Sequence, residues 1–287
     1  MSVWCAGRGR RAGDEGVAII AALWAASLAA VIVISVSQLT RADAGTVRDR
    51  GALAQLHAAT DAAINVAILA MLGPQQTQPP VTGRPFKIDV AGHSSTVTVL
   101  DEAGRIDLNR ANAATLKLVL ASAGSDGAEA DDLVRRIMQH RTPPQDSLGG
   151  GGDSGGATIG YSPASIPFQT VGDLRWVPGM NAALYDRVAP LLTVYSQAAD
   201  VDPTFATDRV LALFAGVSPV AKQALDERRA AARDGRPPPE SPGVALGHAY
   251  TIAAEAKDPS SGAVARRTAV VRLTGQQDAP LLVYRWD

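Results

Sequence analysis

The residues that first suggest chemistry are Gly152-Asp153-Ser154-Gly155-Gly156, the run that surrounds the nucleophilic serine of trypsin-like proteases. Such a serine needs a histidine to take its proton and a buried aspartate to orient that histidine, on a frame of two β-barrels. The chain has four histidines. His57 falls in a long helical pattern, His93 in the turn of a strand pair, His140 at the end of a helix and His248 just before a late strand. None has protease-like surroundings, so Ser154 reads as a solvated residue of a glycine-rich loop. No His or Cys pair has the spacing of metal ligands. The only cysteine, Cys5, precedes the first apolar segment and leaves the rest of the chain without a disulfide framework or a thiol nucleophile. The expectation is a protein that is not an enzyme, with no catalytic residue, cofactor-binding residue or metal ligand.

Composition sets the class. With 287 residues, 46% of them apolar, and a mean hydropathy of +0.04, the chain can bury a core and is not disordered. Its 27 basic and 28 acidic residues leave a net charge of −1. There is no global excess to hold nucleic acid or an anionic membrane surface, and electrostatic partners must be met locally.

Targeting is written at the start. Residues 17–40 carry no charge and, at about 1.5 Å per residue, span about 36 Å as a helix, enough for a hydrocarbon core of about 30 Å. Arg8, Arg10 and Arg11 precede the segment and hold the N-terminus in the cytoplasm, so the chain after Arg41 is carried across. Three readings compete. A secretory signal would be cut after Ala42-Asp43-Ala44, but its apolar region is usually about 7–15 residues. A plain single-pass anchor explains all but the sharp switch at Asp14-Glu15-Gly16-Val17. That switch resembles a type IV prepilin signal, a basic leader with glycine at the cut and an apolar helix after it, which places prepilin peptidase cleavage between Gly16 and Val17. The fifth residue after the cut is usually glutamate in that family; here it is Ala21.

The helical pattern continues through Val47, Leu53, Leu56, Ile64, Ile68 and Leu72, mostly at three- and four-residue steps. Gly45 and Gly51 predict a bend, and Gly73-Pro74 ends the helix. "FKIDV" (86–90) and "TVTVL" (96–100) alternate around the turn signal "AGHSS" and predict a hairpin. Residues 106–141 and 199–229 share a plan of two helices joined at a glycine turn, the second ending in arginine. A third unit, 168–195, sets Pro178-Gly179 between two short helices. Three further strands are predicted at 249–257, 265–273 and 279–286.

This order of segments resembles the general secretion pathway protein K family, the large minor pseudopilins of type II secretion systems. The motifs that carry the resemblance are a prepilin segment without its glutamate, "DEAGRIDLN", "PFQTVGDLRWVPGMNAALYDRVAPLLTVY", "VDPTFATDRVLALFAG" and a terminal "YTI…AVVRL". Within them, Phe168-x5-Leu174 followed by Val177-Pro178-Gly179-Met180 is the most specific. The resemblance implies an α+β, pilin-like fold with a large helical insertion: leader 1–16, transmembrane helix 17–40, the rest of the helix and first strands 41–105, helical insertion 106–195, and the remaining pilin domain 196–287. It implies a single-pass protein of the bacterial inner membrane with its C-terminal domain in the periplasm. The implied partners are prepilin peptidase and the minor pseudopilins of types I and J, with which it forms a fibre tip that starts assembly. Many relatives carry an acid-rich segment able to bind calcium between the positions of Arg141 and Tyr161. Here that segment has only Asp146 and Asp153, too few for a cation that takes about six to eight oxygen ligands.

One other class competes. Helix-hairpin-helix units with Pro-Gly turns resemble DNA-binding modules that offer backbone N–H groups to phosphate. The turn "VPGMNAAL" has no lysine or arginine between Arg175 and Arg187, however, and phosphate neutralisation there would be poor. No nucleic-acid partner is expected.

Overall fold

The computed structural model describes residues 14–125, 127–141, 166–234, 242–259 and 261–287, with side chains described over these except at 14–18 and 36–49. Ser154 and its glycine-rich neighbours, and Asp146 and Asp153, lie outside the described residues, as does most of the leader. The chain divides into two compact units, Met1–Gln55 and Leu56–Asp287.

The first unit is helical. Helix α1 begins at Asp14 and is unbroken at Gly45 and Gly51 up to Met71, within the second unit. From Ile19 to Ser35 every residue is exposed, including Leu23, Trp24, Leu28, Val31 and Ile34. An all-round apolar helix surface of this kind has no stable place in water.

The second unit has a sheet layer and a helical body. Its part of α1 buries Leu56, Ala59, Ala63, Ile64, Ala67, Ile68 and Met71. The stripe differs from the sequence expectation at Leu53 and Leu72, which are exposed. Alanines 59, 63 and 67 take their place, since a short side chain lets the helix lie close on a sheet. Among the described residues Arg50–Met71 is the one helical stretch long and apolar enough to cross a membrane, at mean hydropathy 1.3. Its buried stripe belongs to the core beneath the sheet, so it reads as a core helix.

That sheet is antiparallel, with strand order β1-β2-β5-β6-β7: β1 Phe86–Val90, β2 His93–Asp101, β5 Ala249–Lys257, β6 Val264–Leu273 and β7 Leu281–Trp286. Alternation puts Val97, Val99, Ile252, Ala254, Ala269 and Val271 in the core with α1. The opposite face carries Thr96, Thr98, Thr251, Glu255, Arg266 and Thr268. The first hairpin turns on Ala91 and Gly92 alone, both at positive φ (50° and 81°), a pair of conformations that suits a two-residue hairpin. The "AGHSS" turn is therefore shorter than expected, and His93 lies in β2, paired with Val90.

Between β2 and β5 the chain builds the helical body. It contains α2 Ala113–Ser122, α3 Gly127–Arg141, a 3₁₀ turn at Val171–Trp176, α4 Ala182–Val188, α5 Asp208–Phe214 and α6 Pro219–Arg233. Asn112 and Asn181 cap α2 and α4 by accepting from Thr115 N and Leu184 N, each at 2.8 Å. Short parallel strands β3 (Ile106–Asp107) and β4 (Leu192–Thr193) tie together the two ends of the segment that holds α2, α3, the 3₁₀ turn and α4. The boundary drawn at residue 195 does not divide the cores. Val210, Leu211, Ala221 and Leu225 of α5 and α6 pack in one cluster with Leu116, Leu133, Leu174 and Leu184. A helix pair this short has too little apolar surface to bury alone, and it closes the helical body instead of joining the sheet.

Candidate functional site

Gly16 and Val17, the residues on either side of the expected cleavage, lie on α1, with their side chains outside the described residues. Ala21 is exposed on the apolar helix. It carries no charge, so nothing at that position asks for a partner inside an apolar bundle.

The histidines do not converge. His57 is half-buried on α1, His93 opens β2, and His140 on α3 packs against Phe168 with ring centroids 4.5 Å apart. His248 is the exception, because its Nδ1 lies 2.8 Å from Oδ2 of the fully buried Asp101. The other carboxylate oxygen of Asp101 accepts from Ala103 N at 2.8 Å. Burial raises the Asp101 pKa above its usual value, against the opposing pull of His248 and of the Ala103 N–H. The nearby Tyr250 hydroxyl accepts from Ala245 N at 2.8 Å and donates to Ala245 O at 3.0 Å. Burial, followed by the Asp101 charge, pushes that phenol further up. It is no nucleophile, and the pair acts as a staple: Asp101 begins the link to the helical body, and the Phe205 ring meets His248 edge-on at 5.3 Å on the way back. Sequence reasoning missed this pair, whose members stand 147 residues apart.

The motifs that looked most specific turn out to be joints. In "RIDLN" the buried Asp107 accepts from Asn109 N and Arg110 N with one oxygen, and from Gln197 N and the Ser196 hydroxyl with the other. Asn109 exchanges two hydrogen bonds of 2.9 Å with the backbone of Phe168. The guanidinium of Arg141 donates to the carbonyls of Leu108 and Ala111. Phe168, Leu174 and Val177 are buried together in the helical core.

The Pro178-Gly179 turn is docked on α3. Arg136 donates to Pro178 O at 2.7 Å, and a Cβ on Gly179 (φ +93°) would meet Leu133 at 3.2 Å. A turn seated in this way is a packing element, and it gives no support to phosphate binding. Among the described residues no group of three or more His, Cys, Asp or Glu side chains could hold a metal ion. The acid-poor segment between Arg141 and Tyr161 lies outside them.

Comparison with known proteins now has geometry to meet. Residues 97–197 match the model of the family described as Type II secretion system (T2SS), protein K. The matched segment runs from β2 to the backbone N–H that closes the Asp107 joint. A chain from "The Crystal Structure of the GspK-GspI-GspJ complex from enterotoxigenic Escherichia coli Type 2 Secretion System" is similar in fold, with a TM-score of 0.54. It is 13% identical, and the alignment covers 84% of this chain and 98% of that one. No curated protein matches the sequence. The resemblance drawn from the motifs and the α+β, pilin-like fold both stand.

Proposed function

We propose that this chain, which over residues 97–197 matches the protein K family of type II secretion systems, is a minor pseudopilin of that family and works as an assembly protein without enzymatic activity. The observation that carries the reading is where the family match falls. It covers the end of β2, the Asp107 joint and the segment from α2 to α4, most of the body that distinguishes this subunit from a plain helix-and-sheet pilin. The exposed apolar stretch of α1 supports placement in the inner membrane, and Arg8, Arg10 and Arg11 support a periplasmic C-terminal domain.

Its partners are pseudopilins of types I and J, as the similar chain's complex suggests. Within the fibre it takes the tip and starts assembly. In related fibres the glutamate at the position of Ala21 is thought to pair with an α-amino group inside the helix bundle, where an unpaired charge is expensive. A subunit at the top has no neighbour above it demanding that carboxylate. Co-purification of the full chain with I- and J-type pseudopilins tests the partner assignment: a stable complex supports it and failure to form one overturns it. Labels on the helical body should mark one end of sheared pseudopili; regular labelling along the shaft would remove the tip assignment.

A further inference from the structure

On the sheet face turned away from α1, a cavity of about 600 Å³ opens against the helical body. Its walls bring together Arg105 from the link after β2, Arg175 from the 3₁₀ turn and Arg285 from β7, with Glu102 as the single carboxylate among the lining residues. Among the lining residues themselves the cations outnumber the carboxylates by two, with Asp186 and Asp287 standing outside the lining beside Arg175 and Arg285. Arg105 and Arg175 are held only loosely by their carboxylates. Arg105 reaches Glu102 only at 3.5 Å, and its Nε is buried without a hydrogen bond. Arg175 stands 4.0 Å from the exposed Asp186 and stacks over Tyr185 at 4.1 Å from the ring centre. Arg285 is closely paired, with Nε and Nη2 both on Oδ2 of Asp287, and an incoming carboxylate has to share or displace that contact.

Within the same cavity Glu102 is completely buried, with its second oxygen unpartnered. A buried carboxylate so poorly supplied with donors is costly by itself, and its contact with Arg105 holds that guanidinium at the cleft. The remaining lining offers the hydroxyls of Thr251 and Thr268 and the Tyr195 phenol. Burial raises the pKa of that phenol, and it stays a hydrogen-bond donor at neutral pH. Guanidinium forks matched by hydroxyl donors form a lining for carboxylates, and the volume is that of a site for several residues or a small molecule.

We propose that this cleft binds an acidic, carboxylate-bearing segment of a partner subunit. The identity of the partner rests on the pseudopilin reading; the chemistry of the cleft does not. Arg175, exposed and loosely paired, grips the carboxylates, and Arg285 joins it by exchanging its contact with Asp287. Arg105 braces the buried end.

The test uses the full chain in a non-ionic detergent and a fluorescein-labelled glutamate-rich peptide, with its glutamine isostere as control. Saturable binding of the glutamate peptide alone is expected, with affinity falling about tenfold in Arg175→Gln and in Arg285→Gln, the loss of one charge-assisted contact. Arg266→Gln, whose partner Glu255 lies on the same face outside the cleft, should bind like the parent. Absence of saturable binding, equal binding of the glutamine peptide, or full affinity in both cleft variants would overturn the proposal. Complete displacement of the peptide by equimolar inorganic phosphate would also overturn it, because the site would then be a general oxyanion site. Peptide binding by a chain that fails to co-purify with I- and J-type pseudopilins would leave the cleft standing and remove the functional reading.

Discussion

The carbonyl of Phe205 fills the space in which a side chain at Gly104 would begin, and a Cβ there would also stand 2.7 Å from Ala206 N. Ala103 O accepts from Asp202 N at 2.9 Å beside this contact. The chain leaving the sheet and the chain returning from α4 thus touch backbone to backbone. Gly104→Ala should lower stability by about 1–3 kcal/mol, the usual cost of overpacking, because backbone cannot swing aside as a side chain can. Gly51→Ala, with nothing within 4 Å, should instead stabilise α1 by up to about 1 kcal/mol. Thermal unfolding of both variants checks the contrast; equal shifts would mean that the close approach carries no strain.

The Asp101–His248 staple has a pH signature. The folded-state pKa of Asp101 is raised above its ordinary 3.8 by burial, so the folded protein holds this proton more tightly than the unfolded chain does. Its contribution is therefore fully present below the ordinary value and is lost as pH rises through the raised one. Asp101→Asn removes that titration and keeps an acceptor for Ala103 N. On acidification from pH 7 toward 4, the melting temperature of the parent should rise relative to the variant. A constant difference, or one of the opposite sign, would show that the buried carboxylate does not titrate in this way.

The helical core should respond as a packed unit. Leu174, Val177, Leu184, Val188 and Leu191 are all buried in the same cluster. Leu184→Ala should cost about 2–5 kcal/mol, while the fully solvated Trp176 at 83% exposure should tolerate alanine with a change near zero. Chemical denaturation of both variants decides the point. A small effect at Leu184 would mean that α4 is only loosely held.

What the sequence disclosed follows from the range of the forces involved. Alternation placed β5 to the residue and β6 and β7 to within two, because each strand carries its own pattern. The first turn was read too long, since Ser94 and Ser95 have turn chemistry whereas Ala91 and Gly92 alone supply the two positive φ values. The helix stripe was drawn from large residues and overlooked Ala59, Ala63 and Ala67, whose value lies in how near they let the sheet come. Membership of α5 and α6 in the helical core, the Asp101–His248 pair and the cleft between Arg105 and Arg285 all join residues far apart in the chain. No local pattern records such meetings. The "RIDLN" motif was visible as a string, and only the Ser196 hydroxyl and the Gln197 N–H beside Asp107 explain why its aspartate is there.

Processing between Gly16 and Val17 is the last expectation, and the residue types at the cut give it a physical setting. Both residues lie on α1. A peptidase must draw the backbone into its site, and glycine before the cut adds freedom of conformation and removes the side chain that would block a narrow groove. The mature chain should then start at Val17, without Cys5 and the three leader arginines, and with Ala21 as its fifth residue. Gly16→Leu should leave the leader attached, because the obstruction is steric and lies at the cut itself. Intact mass of protein extracted from membranes distinguishes the possibilities. A parent chain that keeps its leader would sink the prepilin reading, and one that starts at Gly45 would establish secretory cleavage after Ala44 in its place.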